Sequence, residues 1–199
     1  MEWCVKVVNS NDFVVLDTET TSLQGQVIEL AVIDAQGNVF YDGMFKPTCA
    51  IEPAAEATHH ISEAMLAGSP YFYEEWPEIY RRIQGKSIIA YGAPFDHGRM
   101  LKTILDFRMM GKLKDSDVEL MKKLDFYCLK EEYRKYGKFP RWQKLEVACK
   151  QQDIRFDQQH RALGDTLATL EVIRAVAKKA QPQPPEIQNW DDIEGTLKR

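Results

Sequence analysis

Residues Phe13 to Leu23, FVVLDTETTSL, constrain the fold more than any other stretch of the chain. Phe13-Val14-Val15-Leu16 is an apolar, β-branched run of strand length, and it stops abruptly at Asp17-Thr18-Glu19-Thr20-Thr21. Side chains alternate along a strand, so Asp17 and Glu19 project from the same face. Two carboxylates side by side repel each other unless a cation lies between them. Hard oxygen donors suit Mg²⁺ or Mn²⁺, which keep some of their waters and bind substrate phosphates. The same residues also fit a polar strand end entering a threonine-rich turn.

The rest of the chain builds a sheet around this strand. Gln26 to Asp34, QVIELAVID, predicts a second strand with Val27, Glu29, Ala31 and Ile33 on one face and Ile28, Leu30 and Val32 on the other. Ala35-Gln36-Gly37-Asn38 is a hairpin signal leading to a third strand over 39–45. The chain therefore opens with a three-stranded antiparallel meander. Beyond Pro47 and Pro53, Ser62 is placed to N-cap a short helix. The spacing of Trp76, Ile79, Tyr80 and Ile83 predicts a helix over 73–83, and Lys86 to Tyr91 a short buried strand. Gly92-Ala93-Pro94 turns the chain into a helix over 95–110, with Asp96 in its first turn. Residues 111–117 read as a polar link. A short helix and a fifth strand near 125–129 follow, then helices over 130–136 and 141–151. Leu163, Leu167, Leu170, Ile173 and Ala177 predict a last helix over 162–179. A meander followed by alternating helices and strands implies an α/β mixed sheet with helices on both faces. Ligands collect at strand ends in such sheets, and Asp17 and Glu19 occupy one of those ends.

Composition narrows the function. No apolar run among the 199 residues approaches membrane-spanning length, and MEWCVKVVNSND lacks a signal-peptide pattern, so no membrane association is expected. Cys4, Cys49, Cys128 and Cys149 are far apart and form no Cys-x-x-Cys pair, which points to a reducing, cytoplasmic setting rather than a zinc site or disulfide framework. A net charge of −4 argues against non-specific clamping of duplex nucleic acid. It leaves room for a nucleic-acid enzyme whose active-site carboxylates are neutralised by metal.

Two further carboxylates and a histidine could join Asp17 and Glu19. Asp96 follows a buried strand and a turn; a first-turn carboxylate complementing the helix dipole is the simpler role. Asp165, in HRALGD, falls near the apolar stripe of the last helix, where an unpaired charge is costly to bury. His160 precedes it by five residues, so the two would not share a helical face. On the loop before the helix, an imidazole can take a proton from water at neutral pH; a surface histidine is the alternative.

Taken together, Asp-x-Glu at a strand end, Phe-Asp opening a later helix and His-x-x-x-x-Asp before the last helix resemble the DEDD exonucleases, in the DnaQ-like branch that uses histidine. The resemblance covers about residues 12–180, through LDTETTSL, THHIS, YGAPFDHGRML and HRALGDTLATL. LQGQVIELAVID and the short length look most like the small bacterial exodeoxyribonuclease X type. It implies an RNase H-like five-stranded sheet of order 3-2-1-4-5, with an exonuclease domain over 1–180 and a Pro-rich linker and polar tail over 181–199. Asp17, Glu19, Asp96 and Asp165 match the family's ligands for two divalent ions, and His160 its general base. Thr20, Thr21, Leu23, His59 and Ile61 match segments that touch the terminal nucleotide, loop packing being the alternative for the last two. Gly92 departs from the pattern, standing where the family usually has Asn.

The implied activity is metal-dependent release of nucleoside 5′-monophosphates from nucleic-acid 3′ ends. Single-stranded DNA is the favoured substrate, and repair, degradation or proofreading the setting. RNA trimming is an alternative, as is an adaptor subunit docking a replication or repair protein through Ile187, Trp190 and Ile193 of the tail. Tyr133 to Lys144, YRKYGKFPRWQK, interleaves aromatics with cations and could follow a nucleic-acid backbone; a solvated amphipathic helix pair is the simpler reading.

Overall fold

The computed structural model describes residues 2–157 and 159–180. The Pro-rich linker and the proposed docking tail lie outside the described residues. The sheet has five strands: β1 (Phe13–Thr20), β2 (Val27–Asp34), β3 (Val39–Met44), β4 (Ser87–Ala90) and β5 (Phe126–Cys128). Their order is β3-β2-β1-β4-β5, with β1–β2 and β2–β3 antiparallel and β1–β4 and β4–β5 parallel. This is the predicted order, and β1 is central in it. Asp34 closes the β2–β3 hairpin, its Oδ1 accepting the Gln36 and Asn38 N–H groups at 2.9 and 2.8 Å while Gly37 takes a φ of 93°.

Successive residues of β1 feed opposite cores, as a period of two requires. Phe13 and Val15 join Ile33 and Ile89 under one helical layer. That layer comprises α1 (Glu2–Ser10), α7 (Leu129–Tyr136), α8 (Leu145–Gln151) and α9 (Ala162–Ala180). Val14 and Leu16 join Leu30, Val32 and Ile88 under α4 (Phe72–Ile83), α5 (Ala93–Met109) and α6 (Asp115–Lys122). Two short helices, α2 (Pro53–His59) and α3 (Glu63–Leu66), cover the end of the meander, and the Ser62 hydroxyl caps α3 by accepting the Met65 N–H.

Several elements depart from the sequence reading. The spacing of Cys4, Val7 and Val8 is helical, and α1 forms there and packs on α9. Asn11, at φ 52°, stops it in the left-handed region that asparagine tolerates. Helix α6 starts inside the expected polar link, because the Asp117 carboxylate accepts the Lys114 N–H at 2.8 Å and caps it. Helix α8 begins at Leu145, four residues later than predicted. On α9, Leu167 is 40% exposed, and the buried stripe runs instead through Thr166, Thr169, Leu170, Ile173, Val176 and Ala177. No helix among the described residues is long and apolar enough to cross a membrane.

Candidate active site

The site is built where the C-terminal end of β1 meets the starts of α5 and α9. Asp17 and Glu19 stand opposite Ala31 and Glu29 of β2 and leave the strand on one face. Asp96, in the first turn of α5, is buried; its Oδ1 accepts the Thr18 N–H at 3.1 Å and the Thr18 hydroxyl at 2.9 Å. These bonds tie α5 to the strand between the two acids. Asp165 lies in the first turn of α9, and its Oδ1 accepts the His160 N–H at 3.2 Å. His160 takes a φ of 59° on the exposed loop before α9. One ligand atom each from Glu19, His160 and Asp165 lies within 4.8 Å of the others. A left-handed backbone thus lets His160 face Asp165 although helical spacing would separate them.

The carboxylates strain against one another electrically. Burial, then Asp96, Asp165, Glu19 and Glu29, raise the Asp17 carboxyl well above its ordinary range. Glu19 is pushed up to about 8 by burial and by Asp165 and Glu29. Burial lifts Asp96 to about 7 against the Thr18 hydrogen bonds. Asp165 also rises to about 7, by burial and despite the His160 N–H bond. A cluster of hard oxygen donors that resists ionising alone is a donor set suited to Mg²⁺ or Mn²⁺.

Between the ordinary carboxylate range near pH 4 and about pH 7–8, the native protein holds protons that the unfolded chain has released. Stability of metal-free protein must then fall as pH rises through that window. The melting temperature of EDTA-treated protein is expected to drop by about 5 °C or more between pH 5 and 8.5, and Mn²⁺ to restore it at the upper end. A flat profile with no Mn²⁺ response would mean that these acids are not crowded.

Glu29 and Arg161 were not singled out from the sequence. Glu29 is buried, and the Arg161 guanidinium donates to its carboxylate at 2.6, 3.0 and 3.2 Å. The Ala162 N–H at the start of α9 also donates to it, at 2.9 Å. A bidentate fork plus a helix-terminal N–H satisfies a charge that would otherwise be costly to bury. The pair pins the start of α9 to β2, next to His160. The signal was a glutamate inside an otherwise apolar strand, which demands a partner.

Beside Glu19 lies a cleft of about 360 Å³, lined by Thr20, Ser22, Leu23, Glu52, Thr58, His59 and Phe95 among others. Leu23 is 81% exposed at its mouth. His59 is buried; its Nδ1 accepts the Ile61 N–H at 2.9 Å, so its proton belongs on Nε2. Nε2 is buried without a hydrogen-bond partner among the described residues. Burial holds this imidazole below its usual range, hence neutral. Thr21 and Ile61 do not line the cleft. Thr21 closes the β1–β2 turn, its hydroxyl accepting the Gln26 N–H at 3.0 Å, and Ile61 is a core residue. Gly92 N-caps α5 without a side-chain bond, and a Cβ there would meet nothing within 4 Å, so crowding does not exclude an asparagine.

A family model described as exonuclease, RNase_T, matches residues 14–173. The chain belongs to this exonuclease family. It is a DnaQ-like 3′–5′ exonuclease, a hydrolase, as the motifs implied. The exonuclease is 27% identical over 181 residues to the uncharacterized exonuclease CP81 of Escherichia phage 186, covering 84% of this chain and 89% of that one. It is 34% identical over 85 residues to exodeoxyribonuclease 10 of Escherichia coli K12, covering 41% of this chain and only 37% of the relative. Its fold superposes on exonuclease X, solved in complex with 5′-overhanging duplex DNA, with a TM-score of 0.63 at 21% identity; 87% of this chain and 95% of the other are covered.

Proposed function

We propose that this exonuclease releases nucleoside 5′-monophosphates from the 3′ ends of DNA, favouring single-stranded or frayed ends. The observation that carries the reading is the convergence of Glu19, His160 and Asp165 beside Asp17 and Asp96, at the mouth of a nucleotide-sized cleft. Asp17, Glu19, Asp96 and Asp165 would hold two divalent ions, Mg²⁺ or Mn²⁺. When bound, such ions supply Lewis-acid stabilisation of the charge that builds on the scissile phosphate.

The chain's own groups do the rest. His160 takes the proton of the attacking water as its oxygen bonds to phosphorus. The bond from phosphorus to the 3′ oxygen breaks, that oxygen takes a proton from solvent to become the 3′ hydroxyl of the shortened strand, and the released nucleotide leaves with a 5′ phosphate. Leu23 and Phe95 offer apolar surface to the terminal base, with no demand on its identity. The buried His59 imidazole and Thr20 back the same cleft. Glu29 and Arg161 hold the loop that carries His160. DNA is favoured because exodeoxyribonuclease 10 is named for it and the exonuclease X structure holds it. The four cysteines, all free, suit the reducing cytoplasm.

The test uses 5′-labelled DNA and RNA oligonucleotides, single-stranded and duplex, with Mg²⁺ or Mn²⁺. A ladder shortening from the 3′ end of single-stranded DNA is expected, fading as the end is paired. Cleavage confined to RNA, or internal cuts, would overturn the proposal.

A further inference from the structure

Residues 133–144 run from the last turn of α7 to the N-cap of α8, so the stretch is helical at its start and irregular over 137–144. Tyr133 is buried, and the rings of Tyr136 and Phe139 pack on it at 5.8 and 5.7 Å between centroids, so these aromatics serve the core. Trp142 does not. It is 60% exposed on the irregular segment before α8, with the Lys130 ammonium 5.5 Å from its ring centroid. Lys138 and Arg141 are exposed nearby in sequence, and neither they nor Lys130 enter an ion pair among the described residues. On a chain of net charge −4, the unpaired Lys130 faces this bare indole, with the unpaired Lys138 and Arg141 within four residues of it in sequence.

Its location ties it to the acid site. The Tyr91 hydroxyl donates to the Gln143 carbonyl at 2.9 Å, and the Lys130 N–H donates to the Tyr91 carbonyl at 3.0 Å. Tyr91 is the residue between β4 and the Gly92 cap of α5, five positions before Asp96. At the other end, Leu145, Ala148 and Cys149 of α8 pack against α9, whose first turn carries Asp165. Both ends of the segment therefore border the elements that carry Asp96 and Asp165.

We infer that Trp142, Lys130, Lys138 and Arg141 form a platform for the single-stranded part of the substrate, 5′ of the scissile end. One base stacks on the indole while neighbouring phosphates meet the cations, which is how sequence-tolerant binding of single strands is built. This rests on the proposed action at nucleic-acid 3′ ends. The platform lengthens the grip on the strand and takes no part in the chemistry.

The test compares a thymidine trinucleotide with a thymidine dodecamer, using wild type, Trp142→Ala, Trp142→Phe and the double variant Lys138→Glu/Arg141→Glu. For the dodecamer, Trp142→Ala is expected to raise KM about 10-fold with kcat unchanged, as loss of one stacked base requires, and Trp142→Phe to recover most of the loss. The double variant is expected to weaken dodecamer binding and flatten its salt dependence. Neither kinetic constant should change for the trinucleotide. Fluorescence anisotropy of labelled dodecamer with EDTA-treated protein reads the same affinity without turnover. Variants that bind the dodecamer as wild type does overturn the platform, even if the enzyme cleaves DNA. A wild type that neither cleaves nor binds DNA overturns the proposed function and the platform together.

Discussion

Asp17→Asn is expected to lower the rate of 3′-end hydrolysis by about 10³-fold or more while making the metal-free protein more stable. The first half follows from what a carboxylate that would hold a divalent cation is worth. Several kcal/mol of transition-state stabilisation are at stake, and each 1.36 kcal/mol is a factor of about ten in rate. The second half follows from the crowding. Burial and four neighbouring acids oppose ionisation of Asp17, and asparagine keeps the shape without the charge. Denaturant unfolding near pH 8 with EDTA, beside kcat measured with Mn²⁺, separates the two. A fall in both would indicate a damaged fold; retention of rate within about ten-fold would remove Asp17 from the site.

The second large effect belongs to His160. Its removal is expected to cost about 10²- to 10⁴-fold in kcat, the usual share of a positioned proton acceptor. In His160→Asn, stability should hardly move, because the side chain is exposed and outside both cores. The residue sits at φ 59°, so alanine there adds backbone strain that asparagine avoids. His160→Ala and His160→Asn should therefore lose similar activity, and added imidazole should recover part of it in the alanine variant. A rate loss in alanine alone would assign His160 to the loop's geometry instead.

What the sequence disclosed depended on the range of the interaction. Strands β1 and β2 were legible because burial on both faces writes a continuous apolar run. The shared face of Asp17 and Glu19 follows from a period of two and needs no structure. Their meeting with Asp96 and Asp165 is not written in any local spacing; only the family motifs hinted at it. The Glu29–Arg161 pair joins residues 132 positions apart, beyond any window of periodicity. Helix α1 was missed because it is short and valine-rich, and it gains its stability from α9 rather than from propensity. The helix expected from residue 141 fails because its charged, aromatic composition carries no buried stripe before Leu145. Thr21 and Ile61 show the converse: motif positions whose side chains close a turn and fill a core.

The proposed hydrolysis requires that the four carboxylates beside the nucleotide-sized cleft hold divalent cations. Anomalous diffraction from crystals soaked in Mn²⁺ near pH 8 tests it most directly. Manganese peaks bounded by Asp17, Glu19, Asp96 and Asp165, absent in Asp17→Asn crystals treated alike, are the predicted result. Well-ordered carboxylates with no manganese among them would contradict it.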